Sequence, residues 1–131
     1  RVAVRSAKPT IEFGIFFPVA ERNIGFNFDM WPPKYGSVLT FGGLNSRRPD
    51  VVLGRKFNGP ENHLIELTVR VNRPEARIEV QLDGKPHYQW NGPLSEVSLS
   101  PFWGSARPGV ISIGSNGPHW IVSEVKVKPL D

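Results

Sequence analysis

The 131-residue chain contains no cysteine. Disulfide bridges, thiolate metal sites and cysteine nucleophiles are therefore excluded, and the composition says nothing about the redox compartment. The chain also lacks an apolar run long enough to cross a bilayer and a charged-then-apolar leader at its start. We therefore expect no membrane insertion.

Glycine and proline, by contrast, are abundant, at 13 residues each. They interrupt the chain every few residues, which favours many short strands and leaves little room for a long helix. The length suits one domain, residues 1–131. Because the chain begins with Arg1 and not with methionine, we expect it to be a piece of a longer protein.

Basic residues are in excess, since 16 Lys and Arg face 12 Asp and Glu, for a net charge of +4. They are nevertheless scattered among the acids, and their one local cluster is Arg47-Arg48. No strand alternates basic and aromatic residues as a stacking platform for bases would require. The sequence therefore predicts no nucleic-acid binding.

Residues 77–90 contain the strongest structural signal, two β-strands joined at Asp83-Gly84. This dipeptide is typical of the two-residue turn that right-twisted antiparallel strands favour. Ile78, Val80 and Leu82 alternate with polar residues, so one face of the first strand should meet a core. With the alternating run 64–71 before it, the segment 64–90 predicts a three-stranded meander.

Alternation predicts further strands on both sides of the meander. We expect the strand at 11–17 to end at Pro18, and the last strand, 120–127, to turn Ile121, Ser123, Val125 and Val127 inward. The other predicted strands are 24–28, 37–41, 51–53, 97–99 and 109–114. Nine or ten short strands with turns at this spacing favour an all-β, two-sheet antiparallel sandwich.

The order of these signals resembles a known family. The run His63-Leu-Ile-Glu-Leu-Thr-Val-Arg-Val71 is followed by Ile78-Glu-Val-Gln-Leu-Asp-Gly-Lys85, a Gly-flanked strand and a closing Val122-Ser-Glu-Val-Lys-Val127. This order is similar to the concanavalin A-like jelly rolls of the laminin G and pentraxin kind, and more narrowly to sandwich domains appended to larger proteins of planctomycete-type bacteria. The resemblance covers most of the chain.

The resemblance implies a jelly-roll fold and a binding or adhesive role, commonly toward glycans, at a sheet face or on rim loops. We also expect an exported parent protein, in an extracellular or cell-envelope location. Many members of the family hold calcium with loop carboxylates and carbonyls. No calcium triad maps onto this chain residue by residue, so calcium stays a possible cofactor and the metal ligands stay unknown.

Catalysis on such a sandwich would need two or three carboxylates alternating along one strand, so that an acid and a nucleophile flank the sugar bond. The Glu-x-Asp-x-x-Glu pattern of one hydrolase group is absent. Glu61 with Glu66 has the wrong spacing, and Glu75 with Glu79 falls on a turn and an outward strand face. We therefore expect no enzyme.

The sequence contains no metal-binding or nucleophile motif either. His63, His87 and His119 are far apart and lack a second ligand at metal spacing, which favours surface or rim histidines. Asp83 is explained by its turn. Asp29 and Asp50 could ligate calcium, although loop capping explains both.

Loop aromatics are the best candidates for a ligand site, because sugars stack their C–H faces on indole and phenol rings and bond polar side chains. Trp31 and Tyr35 flank Pro32-Pro33 where a strand has ended, and Trp103 lies in a second Pro/Gly-bounded loop. The candidate ligand-binding residues are Trp31, Tyr35, Trp103, Arg47, Arg48 and Asp50.

The sequence therefore predicts a non-enzymatic binding module, most simply a lectin-like one for carbohydrate. Two alternatives remain open. The first is a structural or protein–protein interaction domain that contacts other domains of a parent protein. The second is a glycan-degrading enzyme domain, which would require a pair of carboxylates in a groove.

Overall fold

The computed structural model describes residues 1–6, 13–28, 38–40, 61–97, 107, 109–115 and 120–130. Within these ranges the chain forms nine β-strands and one turn of 3-10 helix at Leu94–Glu96. The strands are β1 (Val2–Ser6), β2 (Phe13–Val19), β3 (Arg22–Phe28), β4 (Val38–Thr40), β5 (His63–Asn72), β6 (Glu75–Leu82), β7 (Lys85–Pro93), β8 (Ser112–Ser115) and β9 (Trp120–Val125).

The strands form two antiparallel sheets. One has five strands in the order β7-β6-β5-β1-β9, and the other has four in the order β4-β3-β2-β8. The side chains between them form one hydrophobic cluster with contributions from both sheets. An all-β, two-sheet antiparallel architecture is therefore confirmed. The predicted 51–53 strand lies outside the described residues, as does most of 97–99.

The predicted hairpin and meander are also confirmed. Asp83 and Gly84 have φ angles of 55° and 73°, as a type I′ turn requires at both central positions. The strands β5, β6 and β7 pair in sequence. Ile78, Val80 and Leu82 are buried, so the alternation identified the inner face correctly.

Strand β1 was not predicted from the sequence. It pairs with β5 on one side and β9 on the other, and so joins the meander to the last strand. Its Val2 and Val4 are buried. Only these two residues of β1 point inward, and an alternation of this length is too short to be recognised as a strand from the sequence.

The predicted end of the second strand at Pro18 is wrong, because β2 continues to Val19. Strand β8 pairs with β2 only from Phe13 to Phe16. The position of Pro18 therefore has a paired neighbour, β3, on one side only, and the missing N–H of a proline is tolerated at such a place.

The predicted inner face of the last strand is correct at Val125, which pairs with the buried Val2, and wrong at Ile121. Ile121 pairs with Arg5 on the outer face and is 46% exposed. A β-bulge at Ser123 shifts the register, because Ala3 pairs with Glu124 whereas Val4 pairs with Val122. The bulge adds one residue to β9, so the side chains before it lie on the face opposite to the one that strict alternation predicts. This explains the error at Ile121.

No helix in the described part of the chain is long and apolar enough to span a membrane.

Candidate functional site

The outer face of the four-stranded sheet carries an unusual set of residues. Gly114 on β8, Gly14 on β2 and Asn27 on β3 form one row across three strands. The next row contains Ser112, Phe16 and Gly25. We call the following set the glycine–asparagine face: Gly14, Phe16, Asn23, Gly25, Asn27 and Gly114.

This face is buried, although it points away from the core between the sheets. Asn27 is 0% exposed and Phe16 is 5% exposed. Neither the side-chain nitrogen nor the side-chain oxygen of Asn27 has a hydrogen-bond partner among the described residues. Leaving a buried polar group unpaired costs about 1 to 3 kcal/mol, so natural proteins rarely keep one without a reason.

Gly14 makes room for the Asn27 amide. A Cβ atom added to Gly14 would lie 2.5 Å from Asn27 Oδ1 and 3.0 Å from Phe16 Cζ. Both distances are shorter than ordinary van der Waals contact. The absence of a side chain at position 14 is thus what lets the amide lie against β2.

A second amide lies at the other end of β3. The Asn23 side-chain nitrogen donates a hydrogen bond of 2.8 Å to the Arg107 carbonyl oxygen. Asn23 Oδ1 is buried and has no partner in the part of the chain that the structure describes. Within the described ranges, the face therefore presents one amide with both polar atoms unpaired and a second with an unpaired acceptor.

Trp31 and Tyr35 lie outside the described residues, but the chain that bears them is anchored beside this face. Their segment leaves β3 after Phe28 and enters β4 at Val38, which pairs with Asn27. Trp31 is four positions from Asn27 and Tyr35 three from Val38.

Trp103 also lies outside the described residues, in a segment anchored at the opposite end of β3. The carbonyl oxygen of Val97, before that segment, accepts a 3.1 Å hydrogen bond from Arg22 Nη1. Arg107, after it, bonds Asn23. The two aromatic segments therefore attach to different ends of the same strand.

The remaining sequence-predicted site residues, Arg47, Arg48 and Asp50, also fall outside the described residues, as do Asp29 and His119. In sequence, Arg47, Arg48 and Asp50 fall between β4 and β5, Asp29 falls between β3 and β4, and His119 falls between β8 and β9.

The prediction that His63 and His87 are surface or rim residues is wrong, since both are buried. His63 Nδ1 lies 2.8 Å from Asp83 Oδ2. The His87 ring stacks on Phe28 with centroids 5.4 Å apart. His87 enters the core because β7 has a register shift opposite Val80 and Gln81, which places His87 and Tyr88 both inward.

Two carboxylates on the five-stranded sheet, those of Glu79 and Glu124, are paired with cations. Glu79 accepts hydrogen bonds from Arg70, at 2.9 Å, and from Arg77, and these bonds lower its pKa below the ordinary value. A lowered pKa suits a structural ion pair, whereas a general acid needs a raised one. No group of three or more metal-ligating side chains occurs within the described ranges.

Sequence reasoning missed Asn23 and Asn27. The available signal was their position, because both alternate with the inward Ile24, Phe26 and Phe28 and so had to lie on the outer face. A phenylalanine at the outward position 16, beside outward glycines, was a second signal that this face is covered.

No family model matches the chain, and neither a curated protein nor a solved structure matches it.

Proposed function

We propose that the chain is a non-enzymatic carbohydrate-binding module of the concanavalin A-like jelly-roll kind, with its site at the glycine–asparagine face. The observation that carries this proposal is Asn27, a fully buried amide whose two polar side-chain atoms have no partner in the described ranges. Such an amide can donate to one ligand oxygen and accept from one hydroxyl.

Carbohydrate is the ligand class that fits this combination of groups. A sugar ring bears adjacent hydroxyls, each able to donate and accept, and C–H faces that pack on aromatic rings. Phe16 places a ring beside the amide, since a Cβ atom on Gly14 would lie near both Asn27 Oδ1 and Phe16 Cζ. Asn23 Oδ1 adds an acceptor at the other end of the strand.

The burial of the face bears on how a ligand would enter. Because Phe16 and Asn27 have almost no exposed surface, a polysaccharide could not lie flat across the sheet. We therefore expect the terminal sugar of a glycan to be bound. Trp31 and Tyr35 would stack on a sugar at the Asn27 end of β3, Trp103 would stack on a sugar at the Asn23 end, and Arg47, Arg48 and Asp50 would bond hydroxyls of the glycan.

A glycan array probed with the isolated chain, with and without calcium, tests the proposal. We expect binding that the Asn27→Leu variant loses, since leucine keeps the branched shape of the side chain and removes both polar atoms. The matched control is Asn91→Leu, at an exposed position on β7 of the other sheet, which should leave binding unchanged. The double variant Trp31→Ala and Trp103→Ala should also lose binding.

Thermal unfolding of the same variants separates loss of a ligand contact from loss of the fold. Asn27→Leu should unfold at or above the temperature of the parent protein, because it removes a buried amide that has no partner among the described residues. A blank array with the folded protein would overturn the proposal. So would glycan binding that Asn27→Leu retains.

A further inference from the structure

Among the described residues, strand β9 forms an open edge of the five-stranded sheet. It pairs with β1 on one side and is the terminal strand in the described sheet. Val125 pairs with the buried Val2, and so lies on the core side, yet it is 49% exposed. Val127 is 70% exposed. An edge with exposed valines is a template for pairing with another strand.

The backbone hydrogen bonds of β9 show which groups face this edge. Arg1 and Lys126 exchange two bonds, from Arg1 N to Lys126 O at 2.7 Å and from Lys126 N to Arg1 O at 2.8 Å. Backbone groups of successive strand residues point to opposite sides. The N–H and C=O of Val125 therefore point away from β1, toward the open edge.

We propose that two copies of this chain associate by antiparallel pairing of their β9 strands about a two-fold axis at Val125. Each Val125 would donate its N–H to the carbonyl of the other Val125, as in a hydrogen-bonded antiparallel pair. The two five-stranded sheets would then form one continuous ten-stranded sheet. A two-fold contact of this kind uses the same surface on both copies, as in most homodimers.

Charge complementarity selects this register. Glu124 pairs with Lys126 of its own chain at 2.8 Å and with Arg1 at 2.9 Å. With the axis at Val125, Glu124 of each copy also lies opposite Lys126 of the other, so each glutamate gains a second lysine. This is a non-hydrogen-bonded position, where side chains approach most closely. An axis at Glu124 would oppose two glutamates, and an axis at Lys126 would oppose two lysines.

The same register limits the contact to a few residues. The bulge at Ser123 interrupts the strand on one side, and Pro129 has no N–H on the other. Within these limits the valine side chains of the two copies would cover each other on the core side. Because the strand contact is short, we expect a weak dimer with a dissociation constant in the range of about 10 to 100 µM.

Sedimentation velocity over a range of concentrations tests this proposal, since it requires no ligand and is independent of the carbohydrate experiment. We expect a reversible dimer. Val125→Pro should abolish it while leaving the bonds to β1 intact, because the N–H that proline lacks points to the open edge. Circular dichroism and thermal unfolding of the variant check that the monomer still folds.

Charge exchange tests the register without a backbone change. Glu124→Lys alone and Lys126→Glu alone place like charges across the axis and should each weaken the dimer about tenfold or more. The double variant should form a tighter dimer than either single variant, although a lysine at position 124 loses the ion pair with Arg1. Hydrogen exchange at the Val125 amide should also slow as concentration rises.

Three results would overturn the proposal. The first is a protein that remains monomeric at a concentration about ten times the upper limit of the expected dissociation constant. The second is a Val125 amide that exchanges at a rate independent of concentration. The third is a double variant whose dimer is no tighter than that of either single variant, which would mean that the β9 register is wrong.

Discussion

The His63 side chain lies against the Asp83 carboxylate, with Nδ1 2.8 Å from Oδ2. The same carboxylate accepts a 2.8 Å hydrogen bond from the Leu64 backbone N–H through Oδ1. The Asp83 N–H in turn donates to the Leu64 carbonyl oxygen at 2.8 Å. One turn residue thus connects the β6–β7 hairpin to the first residues of β5.

Replacing Asp83 with alanine should destabilise the protein by about 2 to 3 kcal/mol. It removes two side-chain hydrogen bonds worth about 1 kcal/mol each and leaves a non-glycine residue at φ 55° without the polar side chain that tolerates this region. Urea unfolding measures the change. Asp83→Asn is the control, because asparagine keeps an acceptor for Leu64 and adopts positive φ readily. Its loss in the free energy of unfolding should be less than half that of Asp83→Ala. A loss below about 0.5 kcal/mol for Asp83→Ala would show that the connection contributes little.

Gly14→Ala should destabilise the protein by about 2 to 3 kcal/mol, because the added methyl group meets Asn27 Oδ1 at 2.5 Å. The matched control is Gly114→Ala on the same face. Its Cβ would lie 3.5 Å from Phe16 Cε2, an ordinary contact, so we expect a change below about 1 kcal/mol. Chemical denaturation of both variants makes the comparison.

A double-mutant cycle identifies the atom responsible. In the Asn27→Ala background the colliding oxygen is gone, so the effect of Gly14→Ala should fall by at least half. Equal effects of Gly14→Ala in the two backgrounds would mean that the amide does not occupy the space above Gly14.

Ala20→Gly should stabilise the protein by about 0.5 to 1 kcal/mol. Ala20 occupies the turn between β2 and β3 with a φ of 52°, a region in which an L side chain is strained and glycine is not. The reverse change at the other hairpin, Gly84→Ala, should destabilise by about 1 kcal/mol. No atom lies within 4 Å of the added Cβ there, so backbone conformation alone would cause the loss. Thermal unfolding of both variants is sufficient, and a lower melting temperature for Ala20→Gly would contradict the argument.

The meander could be predicted from the sequence because its signals are local. Ile78, Val80 and Leu82 alternate without interruption, and Asp83-Gly84 has the chemistry of one turn type. The last strand could not be predicted fully, since its Ser123 bulge depends on pairing with Ala3, which is 120 positions away. Long-range register of this kind leaves no trace in the periodicity of a single strand.

The candidate site was predicted less completely than the fold. Sequence reasoning selected loop aromatics, Trp31, Tyr35 and Trp103, and these stay predictions because they lie outside the described residues. It did not select Asn27, because an asparagine at an outward strand position is ordinarily solvated. Only the structure shows that this position is buried and that its amide lacks a partner in the described part of the chain.

Acid should destabilise the folded protein through its surface ion pairs. The pKa of Glu79 is lowered from its ordinary value of 4.5 by hydrogen bonds from Arg70 and then Arg77, and the pKa of Glu124 is lowered chiefly by a bond from Lys126. A carboxylate with a depressed folded-state pKa binds fewer protons than it does in the unfolded chain. Its contribution to the stability of the folded protein is therefore complete at pH values above the ordinary pKa. That contribution is lost as the pH falls from there through the lower pKa of the folded state. Melting temperatures between about pH 7 and pH 3 should be flat at first and then decline below about pH 4.5.

Glu79→Gln should melt at a lower temperature near pH 7 and show a smaller acid decline, and added salt should reduce the difference between the two proteins because both glutamates are solvent-accessible. Parallel acid declines for the variant and the parent protein would mean that the Arg70–Glu79–Arg77 group does not contribute to acid sensitivity.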